Sequence, residues 1–130
     1  MFIPRFSDIT DAGEAIAPFV HRTQVLTSHQ LDGISGAHLL FKCENFQKVG
    51  AFKFRGATNA VIRLTEEQRR SGVVTHSSGN HAAALAHAAV SRGVRAYIVM
   101  PSTAPEVKKS AVAGYGAEIT FCEPPLAARE

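Results

Sequence analysis

Apolar positions change their spacing along this chain, and the change divides it near residue 71. Before that point the spacing is helical or absent. "SDITDAGEAIAPFV" predicts a helix capped by Asp8 or Thr10 and ended at Pro18. "HRTQVLTSHQLDGISG" keeps no sustained period and reads as an extended polar connector. "AHLLFKCEN" is a short run rich in strand formers. In "GAFKFRGATNAVIRL", Phe52, Phe54, Ala57, Ala60, Val61 and Leu64 recur at helical spacing after Gly50. "LTEEQRRSG" then offers Thr65 and Gln68 as a capping box, with Glu66 and Arg70 paired across one helical turn.

From residue 72 onward, strand and helix alternate: "GVVTHS", "NHAAALAHAAVSRG", "VRAYIVMP", "PEVKKSAVAGYG", "AEITFCE". The order βαβαβ predicts an α/β fold with an open parallel sheet. "AYIVM" is apolar on both faces, which predicts helices on each side of the strand. Gly93 and Gly114 or Gly116 fall at helix ends, and Pro101 and Pro105 at new starts. No repeat or low-complexity segment interrupts the pattern. "FCEPPLAARE" follows the third strand without a helical period, so the chain reads as part of something longer.

Composition narrows the function classes. A chain of 130 residues has room for one modest core. Hydrophobic content of 45% with 19% charged residues is that of a soluble protein, and no apolar run nears the roughly 20 residues that span a bilayer. "MFIPRFSDIT" lacks the features of a secretory signal, so a cytoplasmic location is expected. The net charge of +3 is spread along the sequence, which argues against a nucleic-acid partner. Cys43 and Cys122, in apolar runs without metal spacing, read as buried reduced thiols.

Two motifs carry candidate chemistry. Lys53 lies between two phenylalanines in the first turn of its helix, where a cation is out of place on an otherwise apolar stripe. One reading lets its ammonium snorkel to water. The other presents a partly desolvated amine at a pocket mouth, as a nucleophile toward an aldehyde or as a base. The second motif, "THSSGNHAAALAHAA", runs a strand through Ser77, Ser78, Gly79 and Asn80 into an alanine-rich helix. Free N–H groups, two hydroxyls and an amide there suit a carboxylate or phosphate. A plain reading makes Ser78 or Asn80 a helix cap. The absence of a lysine after the glycine excludes a Walker loop.

Together, "FQKVGAFKFRGATNA", "THSSGNHAAALA" and "YIVMPSTAPEVKKSAVAGYGAEI" closely resemble the serine racemase and serine/threonine dehydratase branch of the fold-type II (tryptophan synthase beta-like) pyridoxal-phosphate enzymes, from about Thr23 to Glu123. The resemblance implies pyridoxal 5'-phosphate as cofactor. Lys53 would form a Schiff base with the cofactor aldehyde and move protons at the substrate α-carbon, with Phe52 as the ring contact. Ser77, Gly79, Asn80 and His81 would grip the substrate carboxylate, Asn80 also lying near the cofactor's phenolic oxygen. Ser78 would be the acid/base on the face opposite the lysine.

The activity so implied is deamination by dehydration, racemisation, or both, of serine, threonine or a related hydroxy amino acid. The same resemblance divides the chain into residues 1–70, part of a large domain that includes the lysine helix, and residues 71–130, the start of a small βαβ domain. It puts the glycine-rich phosphate loop, the partner of the pyridine nitrogen and any divalent-cation ligands beyond residue 130, so the 130-residue chain alone is expected to be inactive. It also implies a homodimeric parent. Gln24 stands where relatives commonly carry proline, and Ala82 where many have glycine. The competing reading is a non-catalytic βαβ remnant of such an enzyme. Among other residues, Glu44 and Arg55 are expected to pair beneath the lysine segment, His87 to pack against a helix, and Lys108 and Lys109 to form a solvated face. The spacing of His76, His81 and His87 suits no zinc site.

Overall fold

In the computed structural model, which describes residues 3–124, the expected βαβαβ order is present. β3 (Val73–His76), α5 (Asn80–Val90), β4 (Ala96–Pro101), α6 (Glu106–Gly114) and β5 (Glu118–Cys122) form a parallel sheet in the order β3-β4-β5. Val74 pairs with Tyr97, and Ile98 with Ile119. Because each strand is added on the same side, two right-handed crossovers put α5 and α6 on one face of the sheet.

That face holds the core. Ile98 and Met100 of β4, Val112 of α6 and the alanines 82, 84, 86, 88 and 89 of α5 belong to one buried cluster. Those five alanines are fully buried, and their small side chains let α5 lie close between the sheet and the next helix. The opposite face departs from expectation. Val74 is 70% exposed, and Tyr97 and Val99 are only half-buried. Helices cover one side of "AYIVM" among the described residues, not both.

The first 70 residues pack onto this unit through α3 (Lys53–Ile62), whose Phe54, Ala57 and Val61 join the same cluster as α5. The core therefore runs continuously across the division at residue 70. α4 (Glu66–Ser71) has the expected capping box, with Thr65 Oγ1 accepting from the Gln68 N–H and Gln68 Oε1 from the Thr65 N–H, and Arg70 lies 3.5 Å from Glu66.

Several local expectations need correction. α1 (Phe6–Ile16) begins before Asp8 and Thr10; Arg5 is its cap residue, and the Arg5 N–H donates to the Asp8 carboxylate. The expected connector contains β1 (Val25–Leu26) and α2 (His29–Ser35), the latter capped by Ser28 Oγ and ended at Gly36. Seven residues are too few to show a helical period. Of "AHLLFKCEN", only β2 (Phe41–Lys42) is strand, paired antiparallel with β1. Cys43 is buried, Cys122 is half-buried, and both are free thiols. Lys108 is exposed, but Lys109 is not simply solvated: its side chain is 20% exposed, lies 3.6 Å from Glu106 and sits over the Phe121 ring. The final residues of "FCEPPLAARE" lie outside the described residues.

Candidate active site

Lys53 is the first residue of α3, and an unusual approach puts it there. Val49 and Gly50 both have left-handed backbone, at φ 58° and 68°. For a β-branched residue such as Val49 this conformation is strained, and it turns the chain sharply out of a short helical turn at Lys48–Gly50. Ala51 is buried, Phe52 is 60% exposed, and Phe54 is buried again. Counting round the helix, Phe54, Ala57, Thr58 and Val61 make the inward stripe, while Lys53 shares its side with exposed Ala60.

The expectation of a sheltered amine is therefore not met. Lys53 is exposed, makes no hydrogen bond or ion pair among the described residues, and rests 5.1 Å from the centroid of the Phe52 ring. Phe52 itself is turned outward, so the two residues form a solvent-facing aromatic and amine pair. The physical reason is local: the described chain packs on the Phe54 side of α3 and supplies nothing over the Lys53 side.

What holds this segment is a polar cluster that sequence reading found only in part. Arg55 donates from Nε and Nη2 to the two carboxylate oxygens of Glu44, at 2.8 and 2.7 Å. Thr23, which is buried, donates its hydroxyl to Glu44 Oε1 at 2.6 Å, and Lys42 donates to the Thr23 carbonyl. Arg55 Nη2 also reaches the His21 carbonyl at 3.1 Å. Gln47, 3% exposed, donates to that carbonyl and accepts from the N–H groups of His21 and Lys48. The Arg55 guanidinium holds the Glu44 carboxyl down at about 2, against the opposing effect of burial, with help from Thr23. Its partner is raised in turn by the Glu44 carboxylate. Thr23 and Gln47 carry no motif that could have announced them, since their role depends on distant chain meeting α3.

The second motif lies between β3 and α5. The Ser77 N–H continues the sheet by donating to Val99, and the Gly79 N–H donates to Ser77 Oγ at 3.2 Å. Gly79 precedes the helix, and no side chain caps it, so the plain reading of Ser78 or Asn80 as a cap does not hold. Among the described residues, Ser78 Oγ and the Asn80 side chain make no hydrogen bond. The first-turn N–H groups of Asn80, His81 and Ala82 likewise have no acceptor within the described residues, and Asn80 and His81 are exposed. Unsatisfied donors at a helix start, two hydroxyls beside them and the positive end of the helix dipole fit an oxyanion.

The two motifs are linked through the core. Phe54, next to Lys53, meets the His87 ring at 5.0 Å, seven residues along α5 from Asn80, roughly 10 Å at about 1.5 Å per residue. His87 stacks on Tyr115 at 4.9 Å and 4°, the packing role expected of it. Burial, then the nearby Lys48 and Arg92 charges, hold its pKa below the ordinary 6.5. Among the described residues no three His, Cys, Asp or Glu side chains form a metal-binding group, and no helix is long and apolar enough to cross a membrane.

Residues 16–130 match the family described as pyridoxal-phosphate dependent enzyme. The chain belongs to this pyridoxal-phosphate dependent family. It is 53% identical over 130 residues to a beta-hydroxyaspartate dehydratase from Paracoccus denitrificans, covering all of this chain and 41% of that protein. It is 55% identical over 122 residues to a serine racemase from Arabidopsis thaliana, covering 94% of this chain and 37% of that protein. The solved structure of maize serine racemase superposes with a TM-score of 0.94 at 48% identity, over 98% of this chain and 39% of that one. The chain thus spans about two fifths of the length of these relatives. Pyridoxal phosphate is the cofactor of the family, and two features here fit it: an accessible primary amine beside an aromatic ring, and an uncapped helix start bearing free hydroxyl and amide groups.

Proposed function

We propose that this chain supplies the amine-bearing and carboxylate-binding parts of a pyridoxal-phosphate dependent enzyme that dehydrates or racemises a small hydroxy amino acid. The observation that carries the reading is the uncapped Ser77–Ser78–Gly79–Asn80 turn, in a chain whose strained Val49–Gly50 approach presents Lys53 at a helix start. In this reading residues 1–70 belong to a larger domain and residues 71–130 begin a smaller one, and the whole protein is a homodimer.

Bound pyridoxal phosphate would supply the electron sink that lets an α C–H bond ionise. Everything else falls to side chains. Lys53 Nζ would hold the cofactor beside Phe52, and its free amine would take the α-proton from one face of the substrate. Ser77, Gly79, Asn80 and His81 fix the substrate carboxylate, which sets the α C–H bond at the angle that the reaction needs. Asn80 would also help to hold the cofactor. Ser78 Oγ, unengaged among the described residues, works the opposite face. Loss of the β-hydroxyl after proton removal ends in a keto acid and ammonia; return of a proton from Ser78 gives the mirror-image amino acid.

The names of the relatives support a β-hydroxylated amino acid as the substrate class, since one is a beta-hydroxyaspartate dehydratase and another a serine racemase. The test is keto-acid release and enantiomer exchange by the full-length protein with serine, threonine and 3-hydroxyaspartate. Lys53→Ala is expected to abolish both. Ser78→Ala is expected to suppress racemisation at least tenfold more than dehydration, within the range that one acid/base group supplies. Turnover retained in Lys53→Ala would overturn the assignment in favour of another amine. No turnover by the unaltered protein with any of the three would support the non-catalytic reading.

A further inference from the structure

Unneutralised charge also collects on residues that belong to neither motif, where the end of α4 meets the turn between α5 and β4. Arg69 and Arg70 from α4, and Arg95 from just before β4, line a cleft of about 530 Å³ together with Glu66 and Gly93. Arg69 and Arg70 are neighbours in the sequence, and folding brings Arg95, 25 residues further on, beside them. Backbone carbonyls draw them in: Arg69 Nη2 donates to the Arg92 carbonyl at 3.1 Å, and Arg95 Nη2 to the Arg70 carbonyl at 3.0 Å. Arg95 also lies over the Tyr97 ring, 5.8 Å from its centroid.

Each of these straps uses one N–H of a guanidinium that carries five, so both forks are fixed in place with most of their donors unspent. Among the described residues the sole carboxylate lining the cleft is Glu66, 3.5 Å from Arg70, and both side chains of that pair are more than 70% exposed. An exposed pair of this kind neutralises little. The field extends to Arg92, whose charged form is disfavoured by burial and then by Arg69. Gly72 allows the close approach, because a Cβ there would stand 2.8 Å from the Arg95 carbonyl oxygen.

We propose that this cleft binds the phosphate group of a small molecule. Planar forks held in fixed positions match the several oxygens and double charge of a phosphate better than the two oxygens of a carboxylate. Three arginines in one concavity are too few for a nucleic-acid duplex, which needs a row of phosphate contacts.

The test titrates the protein with sodium phosphate, pyrophosphate and glycerol phosphate at fixed ionic strength, following the arginine Nε–H resonances by NMR, with sodium chloride as control. Saturable shifts confined to Arg69, Arg70 and Arg95 are expected with phosphate and absent with chloride. Tighter binding of glycerol phosphate than of phosphate would identify an organic ester as the ligand; equal binding would identify free phosphate. Arg70→Gln removes a fork that straps no carbonyl, so the fold survives, and affinity is expected to fall about tenfold, partly recovered in Arg70→Lys. Shifts that follow ionic strength alone, an Arg70→Gln affinity equal to that of the unaltered protein, or tighter binding of a short DNA duplex than of pyrophosphate would each overturn the proposal.

Discussion

Removing the charge of Glu44 gives the sharpest test of how the lysine helix is held. Arg55 stands two residues after Lys53 and spans both oxygens of Glu44, so the pair fastens the start of α3 to the segment around Thr23 and Lys42. The Glu44 carboxyl is lowered from 4.5 to about 2. Converted in full at about 1.36 kcal/mol per pKa unit, that would be roughly 3 kcal/mol of stability. The Glu44 and Arg55 side chains are 18% and 30% exposed, so water screens part of it, and about 1 to 2 kcal/mol is expected. The sign follows from the lowered folded-state value. The stabilisation is fully present above pH 4.5 and is lost as pH falls from 4.5 through about 2. Urea unfolding of the unaltered chain and of Glu44→Gln, from pH 7 to pH 2, isolates this group because the other carboxylates cancel in the difference. The unaltered chain is expected to be more stable at pH 7, with the gap closing below pH 4.5. Parallel stability curves across that range would refute the reasoning.

Three further predictions concern packing. Gly72→Ala would bring a Cβ to 2.8 Å from the Arg95 carbonyl at a φ of +89°, and a loss of about 2 to 4 kcal/mol is expected in urea unfolding; a loss within error of zero would contradict the geometry. Thr58 is fully buried with a hydroxyl that has no partner among the described residues, so Thr58→Val is expected to leave stability unchanged or raise it by about 1 to 2 kcal/mol, and a loss would mean that the hydroxyl has an acceptor. His87 has a folded pKa below 6.5, so the folded state resists the proton and stability falls as pH drops below 6.5; His87→Phe is expected to flatten stability between pH 7 and pH 5, and an unchanged slope would count against the burial argument.

The βαβαβ half was legible because its signals are local and repeated. Strand formers, alanine-rich helices and glycine stops recur in order from Val73 to Cys122, and each falls where the structure has it. Short elements were not legible. α2 spans seven residues, barely two helical turns, and β1 and β2 two each, a single strand period, so neither pattern repeats often enough to be recognised. The open face of β4 was misread because an apolar strand says that something covers it without saying that this chain does. At the site, the residue types of both motifs were readable, and so was the Glu44–Arg55 pair. The roles of Thr23 and Gln47 were not, since each depends on chain some 20 residues away or more. Nor was the exposure of Lys53, which is set by the outward turn of Phe52 and by which side of α3 the core occupies.

The central claim is that Lys53 is the reacting amine, and trapping tests it directly. The protein is incubated with pyridoxal phosphate, reduced with borohydride, and the modified lysine located by peptide mapping. Lys108, exposed on α6 and engaged with no other side chain among the described residues, reports what exposure alone would give. The label is expected to concentrate on Lys53 well above Lys108 and to be lost in Lys53→Ala without moving elsewhere. Label shared evenly between Lys53 and Lys108 would contradict it.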